Sequence, residues 1–152
     1  MMNIPKLLPK WIYIVLLITA LLGFIDASFL TVEHYRNKIP PCTTSSCEVV
    51  LTSTYATVLG FPVALLGAIY YLSILVLLII YFDIKNEKIF RFILFYTTVG
   101  FLSSIYFFII QAFIIHSYCQ YCLISALTST ILFIVSMYSL YIYKNGKTIS
   151  QI

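Results

Sequence analysis

The chain reads as all-α: an integral membrane four-helix transmembrane bundle with an extracytoplasmic loop capping its outer end. Three features predict this. Of its 152 residues 62% are hydrophobic and only 9% are charged, where a soluble domain carries about 25% charged residues. The mean hydropathy is +1.03, more apolar surface than a core of this size can hide. Four apolar runs also reach the roughly 20 residues that a helix needs to cross the hydrocarbon of a bilayer.

The first run covers residues 11–30, from Trp11 to Leu30, and is broken only by Asp26. It is long, and no small-x-small cleavage pattern follows it, so it reads as an uncleaved anchor and not a signal peptide. A more polar stretch, residues 31–60, comes next. The second run covers 61–82. Gly60-Phe61-Pro62 opens it, since proline is at home in the first turn of a helix, and Ala64, Gly67 and Ala68 offer small surfaces for close helix contact. The third run covers 92–115, and the fourth 118–143. A single domain, 1–152, is expected, with no fused thioredoxin-like domain. Barrel strands would alternate apolar and polar residues, and these runs do not. There is no P-loop, no dinucleotide-binding glycine pattern, no repeat and no basic patch for nucleic acid.

The net charge of +4 matters through its placement. Lys6 and Lys10 precede the first run; Lys85, Lys88 and Arg91 cluster between the second and third; Lys144 and Lys147 follow the fourth. Only Arg36 and Lys38 lie between the first and second. The positive-inside rule then puts both termini and the middle loop in the cytoplasm. The cell membrane is the expected location. Trp11, Tyr13, Tyr118, Tyr121, Tyr141 and Tyr143 fall near the predicted interfaces, as an aromatic belt should.

Lys and Arg alone set this topology, yet it sorts the cysteines. Cys42 and Cys47 fall in the first outer loop, and Cys119 and Cys122 at the outer end of the fourth run. All four face a compartment that is oxidising in a bacterium, where disulfides persist. Cys119 and Cys122 sit three apart at a helix start, so one turn brings their sulfurs together. Free amides and the positive dipole end favour a thiolate there. Cys-x-x-Cys is also the usual spacing of a redox-active dithiol. The rest of that helix is buried, so an apolar electron acceptor could reach the pair from the membrane. Cys42 and Cys47 lie in "PPCTTSSCEVV", a polar segment able to reach a soluble partner on one side and the membrane pair on the other.

Two other uses of four cysteines compete. Structural zinc sites take four cysteines at similar spacings, but the tight turn residues such sites carry are missing, so no metal site is assigned. Inert disulfides are the other. A bridge between Cys119 and Cys122 closes too small a loop to constrain the unfolded chain much, whereas Cys42–Cys47 could be structural. Among the remaining residues, Asp26 is the only acidic group inside a span. An intramembrane carboxylate is costly and usually functional or paired; here it either helps protonate or orient thiols and acceptor, or bonds loop backbone. His116 reads as an interfacial helix-end residue, and Glu48 as solvated.

The ordered set Cys42, Cys47, Ser53, Gly60-Phe61-Pro62 and Gly67, followed far downstream by Cys119-x-x-Cys122, resembles the vitamin K epoxide reductase family in its bacterial disulfide-forming branch. The likeness runs through "GFIDASFLTVEHY", "CTTSSCEVVLTSTYATVLGFPVALLGAIYY" and "YCQYCLISA". Enzymes of the DsbB type carry Cys-x-x-Cys in the first outer loop and the wider pair in the second; here the order is reversed.

The resemblance implies a quinone-dependent thiol–disulfide oxidoreductase that reoxidises a thioredoxin-like, DsbA-like partner, with ubiquinone or menaquinone as acceptor. Cys119 and Cys122 match the membrane active-site pair, with Cys122 nearest the quinone and Cys119 exchanging with the loop. Cys42 and Cys47 match the shuttle pair; Cys47 would bridge transiently to Cys119, and Cys42 would face the partner. Ser53 matches a functional hydroxyl near the quinone, and Phe61 is a candidate cover for it. The vertebrate enzymes carry a tyrosine four residues after the last cysteine. This chain has Ala126, which leaves the quinone unassigned.

Overall fold

The structure, a computed structural model, describes residues 9–42 and 46–149. Lys6 lies outside them, as do the side chains of Lys144 and Lys147. Helix α1 is Lys10–Tyr35 and α2 is Ser46–Leu51. A short turn of 3-10 helix, Thr54–Ala56, leads into a two-stranded hairpin of β1, Thr57–Val58, and β2, Phe61–Pro62. Helix α3 is Val63–Ile84. Helix α4, Glu87–Ile109, runs on into a π-helical segment, Ile110–Ile115. Helix α5 is Gln120–Ile149. Helices α1, α3, α4 and α5 are each long and apolar enough to cross a membrane, so the protein is an all-α, multi-pass membrane bundle.

The four spans form a ring: α1 packs on α3 and α5, and α4 on the same two. Its core joins Ile12, Leu16 and Ala20 of α1 to Tyr71, Ile74 and Leu78 of α3, Ile93 of α4 and Leu132 of α5. Large apolar side chains such as Ile18, Ile79, Leu102 and Ile134 stand exposed on the outer faces, where hydrocarbon meets them. Lipid is as apolar as leucine, so such helices associate through close packing and polar contacts. Both are present here. A Cβ on Gly23 would overlap the ring of Tyr71, and one on Gly100 the ring of Tyr70; these two bare backbones let α1 and α4 close onto α3. Tyr71 then reaches across to α5, donating to the Ser125 carbonyl at 2.7 Å and meeting the Thr128 hydroxyl at 2.8 Å. Ser104 of α4 pairs with Ser129 of α5.

The helix ends depart from the apolar runs. Helix α1 passes Leu30 by five residues, because Thr31, Glu33 and His34 continue the helix into water until Asn37 turns left-handed (φ 51°). Helix α3 begins at Val63, not at residue 61: Phe61 and Pro62 pair with Val58 and Thr57 across the Leu59–Gly60 turn, and Pro62 is the N-cap. Helix α4 begins at Glu87, five residues ahead of residue 92. Asn86 caps it by accepting from the Lys88 amide at 2.9 Å, and Glu87 pairs with Arg91 at 2.7 Å, an arrangement favourable in a first turn. Helix α5 begins at Gln120, two residues past 118.

Candidate active site

All four cysteines meet at one end of the bundle. Cys47 lies in the first turn of α2, which folds over that end, and it is buried at 1% exposure. It shares a cluster with Val50 and fully buried Cys119, against which Cys42, Cys122, Leu51, Ile115 and Tyr121 pack. Cys42, half-buried, is disulfide-bonded to Cys47 with Cα atoms 6.3 Å apart. Cys119 and Cys122 are free thiols. Tyr121 anchors the loop by donating to the Pro41 carbonyl, next to Cys42, at 2.8 Å.

The two membrane-pair sulfurs occupy unlike positions. Cys119 stands at the N-cap of α5, and its carbonyl accepts from the Leu123 amide at 3.0 Å. Cys122 is three residues on, in the first turn. This is the spacing at which an N-cap side chain meets the free amides of a helix start. The Cys122 thiol hydrogen-bonds to the Cys119 sulfur and holds it below its ordinary range, from 9.0 to about 7; burial opposes this, and the Cys122 and Tyr121 amides reinforce it. A lowered thiol at a helix N-terminus is the physical condition for a reactive cysteine.

Gln111 fixes that position. Its buried side-chain oxygen accepts from the Cys119 amide at 3.1 Å. Its carbonyl receives Ser117 at 3.2 Å and the amide of His116, whose left-handed backbone (φ 53°) ends α4. Widening to π-helix at Ile110–Ile115 accompanies this, as π segments often do at functional sites. His116 is exposed and acts as a helix stop. Gln111 went unseen in the sequence, where it is one polar residue in an apolar run without a pattern to mark it.

Beneath the cysteines, between the capping loop and the spans, lies a cavity of about 310 Å³, within the range of ligand pockets. Cys122 lines it; Cys119 does not. Asp26, Ser53, Tyr70 and Ala126 also line it. One Asp26 carboxylate oxygen and the Tyr70 hydroxyl are buried there without a hydrogen-bond partner among the described residues. The Ser53 hydroxyl donates to the Val50 carbonyl at 2.7 Å, so its proton already has an acceptor. Phe61 falls outside the lining, more than half exposed on β2, while its neighbours Pro62 and Val63 line the cavity. The hairpin turns its side chain away.

The chain matches the Vitamin K epoxide reductase family over residues 14–137, a stretch that holds all four cysteines and the cavity lining. It belongs to that family. Membership in the Vitamin K epoxide reductase family makes the chain an oxidoreductase of the quinone-linked thiol–disulfide class. No individual curated protein matches it significantly. A quinone is a flat, largely apolar ring with carbonyl acceptors. The cavity suits it: the walls are mostly apolar, and they include an unpaired phenol hydroxyl and a thiol.

Proposed function

We propose that the chain carries electrons from a thioredoxin-like extracytoplasmic dithiol protein to ubiquinone or menaquinone, and so renews the partner's power to form disulfides. One observation carries this: Cys119 is buried in the loop cluster with Cys47, while Cys122, hydrogen-bonded to it, lines the cavity. Each thiol of the pair faces a different client.

The steps balance. A partner thiolate attacks the Cys42–Cys47 disulfide at Cys42, the less buried sulfur, and the partner leaves as a disulfide with the loop reduced. Cys47 thiolate attacks Cys119 of a Cys119–Cys122 disulfide and expels Cys122. Cys42 then attacks Cys47, closing the loop disulfide and freeing Cys119. The chain now holds a Cys42–Cys47 bridge and two free membrane thiols, the arrangement seen here. A bound quinone supplies the sink for two electrons and two protons, which the dithiol gives up as it returns to Cys119–Cys122. Low thiol pKa at Cys119 favours its departure from the Cys47 bridge, because a weaker base leaves faster.

In this reading the cysteine end faces the oxidising compartment, and Asp26, which lines the same cavity as Cys122 with one carboxylate oxygen unpaired, passes a proton to thiol or acceptor.

Disulfide trapping tests the pathway. Replacing Cys42 or Cys122 by Ser blocks resolution and should accumulate a Cys47–Cys119 bridge, visible by peptide mapping after acid quench. A four-cysteine zinc site is the competing reading, and it would show as metal retained by the purified chain with all four thiols unbridged. Finding only the remaining local link, Cys119–Cys122 in Cys42→Ser and Cys42–Cys47 in Cys122→Ser, with no Cys47–Cys119 bridge in either variant, would contradict the pathway.

A further inference from the structure

Adjacent tyrosines on α3 end in opposite circumstances. Tyr71 has its hydroxyl satisfied by Ser125 and Thr128 of α5. Tyr70 points to the other side, toward α4. Its ring stands edge-on to Tyr71 with centroids 5.1 Å apart and tilts on Tyr96 at 5.2 Å, and its hydroxyl end lies over the bare backbone of Gly100. These contacts fix the ring and leave its hydroxyl buried, in the cavity wall, without a partner among the described residues. Buried hydroxyls are nearly always paired, and the others near it are: Ser53, Ser103 and Ser129 all donate to backbone carbonyls. Ala126, in the α5 part of the cavity wall, offers no polar side-chain atom. A buried donor left unpaired in the wall of an apolar cavity is complementary to an acceptor on an apolar ligand.

We propose that the Tyr70 hydroxyl donates a hydrogen bond to a carbonyl oxygen of the bound quinone, the carbonyl remote from Cys122. Cys122 enters the cavity from the first turn of α5, and Tyr70 enters from α3 against α4. The ring is thereby held between a thiol and a phenol, and its position relative to the sulfur is set from the far side. Tyr70 is a binding residue that touches the acceptor; it carries no electrons. The inference rests on the cavity being the quinone site.

The test uses the full chain in detergent with ubiquinone-1 as the probe. Equilibrium binding, quinone KM and the infrared carbonyl stretch of the bound, isotope-labelled quinone are compared for wild type, Tyr70→Phe and Cys122→Ala. Tyr70→Phe keeps the ring and its packing. The expected result is a quinone KM and Kd raised about fivefold to tenfold, in line with the loss of one hydrogen bond. One carbonyl band, downshifted in wild type, should return to its free frequency, with Cys47–Cys119 trapping unchanged. Equal affinity and equal carbonyl bands in wild type and Tyr70→Phe, with turnover still abolished in Cys122→Ala, would overturn this inference alone. Wild type that neither binds nor reduces quinone would overturn the site reading and the inference with it. The wild-type spectrum decides even if the variant fails to fold, because a bound quinone with both carbonyls at free frequency sinks the proposal.

Discussion

Cys119 and Cys122 are three residues apart, yet their sulfurs live in different surroundings. Cys119 is fully buried at the N-cap of α5 among the loop residues, and Cys122 looks into the cavity. The consequence is electrochemical. Cys119 is held at about 7 when reduced, chiefly by the Cys122 thiol. Below that pH the reduced pair binds two protons per two electrons; above it, one. The midpoint potential of Cys119–Cys122 should therefore fall by about 59 mV per pH unit below pH 7 and by about 30 mV per unit above it. A redox titration against pH, read by alkylation and mass spectrometry, locates the break. A break near 9 would mean that Cys122 and the α5 amides do not stabilise the Cys119 thiolate. Gln111 supports the same sulfur through the backbone. Gln111→Leu strands a buried amide, at a cost of about 1–3 kcal/mol, and lets the N-cap drift. It should lower the thermal midpoint and the yield of the Cys47–Cys119 bridge, whereas Gln111→Glu, which keeps an acceptor oxygen, should retain most of that yield.

Each element expresses a different part of the sequence. The existence of the four spans was legible because composition and run length alone fix it: nothing else accommodates runs of this apolarity. Their ends were less so. Thr31, Glu33 and His34 extend α1 beyond its apolar run, and the Asn86 cap starts α4 early; both depend on local bonding, not hydropathy. The cysteine pairs were legible from spacing. The π segment, Gln111 and Tyr70 were not, since each takes its meaning from contacts between α3, α4 and α5. Phe61 was placed in the site by its neighbourhood in the sequence, but the hairpin exposes it. Helix contact gives its own prediction. Gly23→Ala drives a methyl into the Tyr71 ring, and overpacking of this kind costs typically 1–3 kcal/mol. Its thermal midpoint in detergent should fall, and Tyr71→Phe, which keeps the ring but loses the bonds to Ser125 and Thr128, should fall less, by about 1 kcal/mol. An unchanged midpoint in Gly23→Ala would show that α1 and α3 do not meet as described.

At the scale of the whole molecule, the proposed function has two chemistries one helical turn apart: disulfide exchange in the loop cluster at the bundle's end, and electron delivery to an acceptor in the cavity. That separation requires a fixed orientation. A reporter enzyme active only outside the cytoplasm, fused after residue 85, should be silent, and one inserted in the loop near residue 38 should be active; the reverse pattern would invert the assignment made from Lys and Arg. The central claim is that electrons leave the chain through Cys122 to a quinone. Anaerobic reduction of ubiquinone-1 or a menaquinone analogue by the purified protein, with a reduced thioredoxin-like donor, measures it directly. Wild type should consume quinone in step with donor thiols, one quinone per dithiol, and Cys122→Ala should not. Undiminished quinone loss in Cys122→Ala, or none in correctly bridged wild type across several donors and quinones, would contradict it.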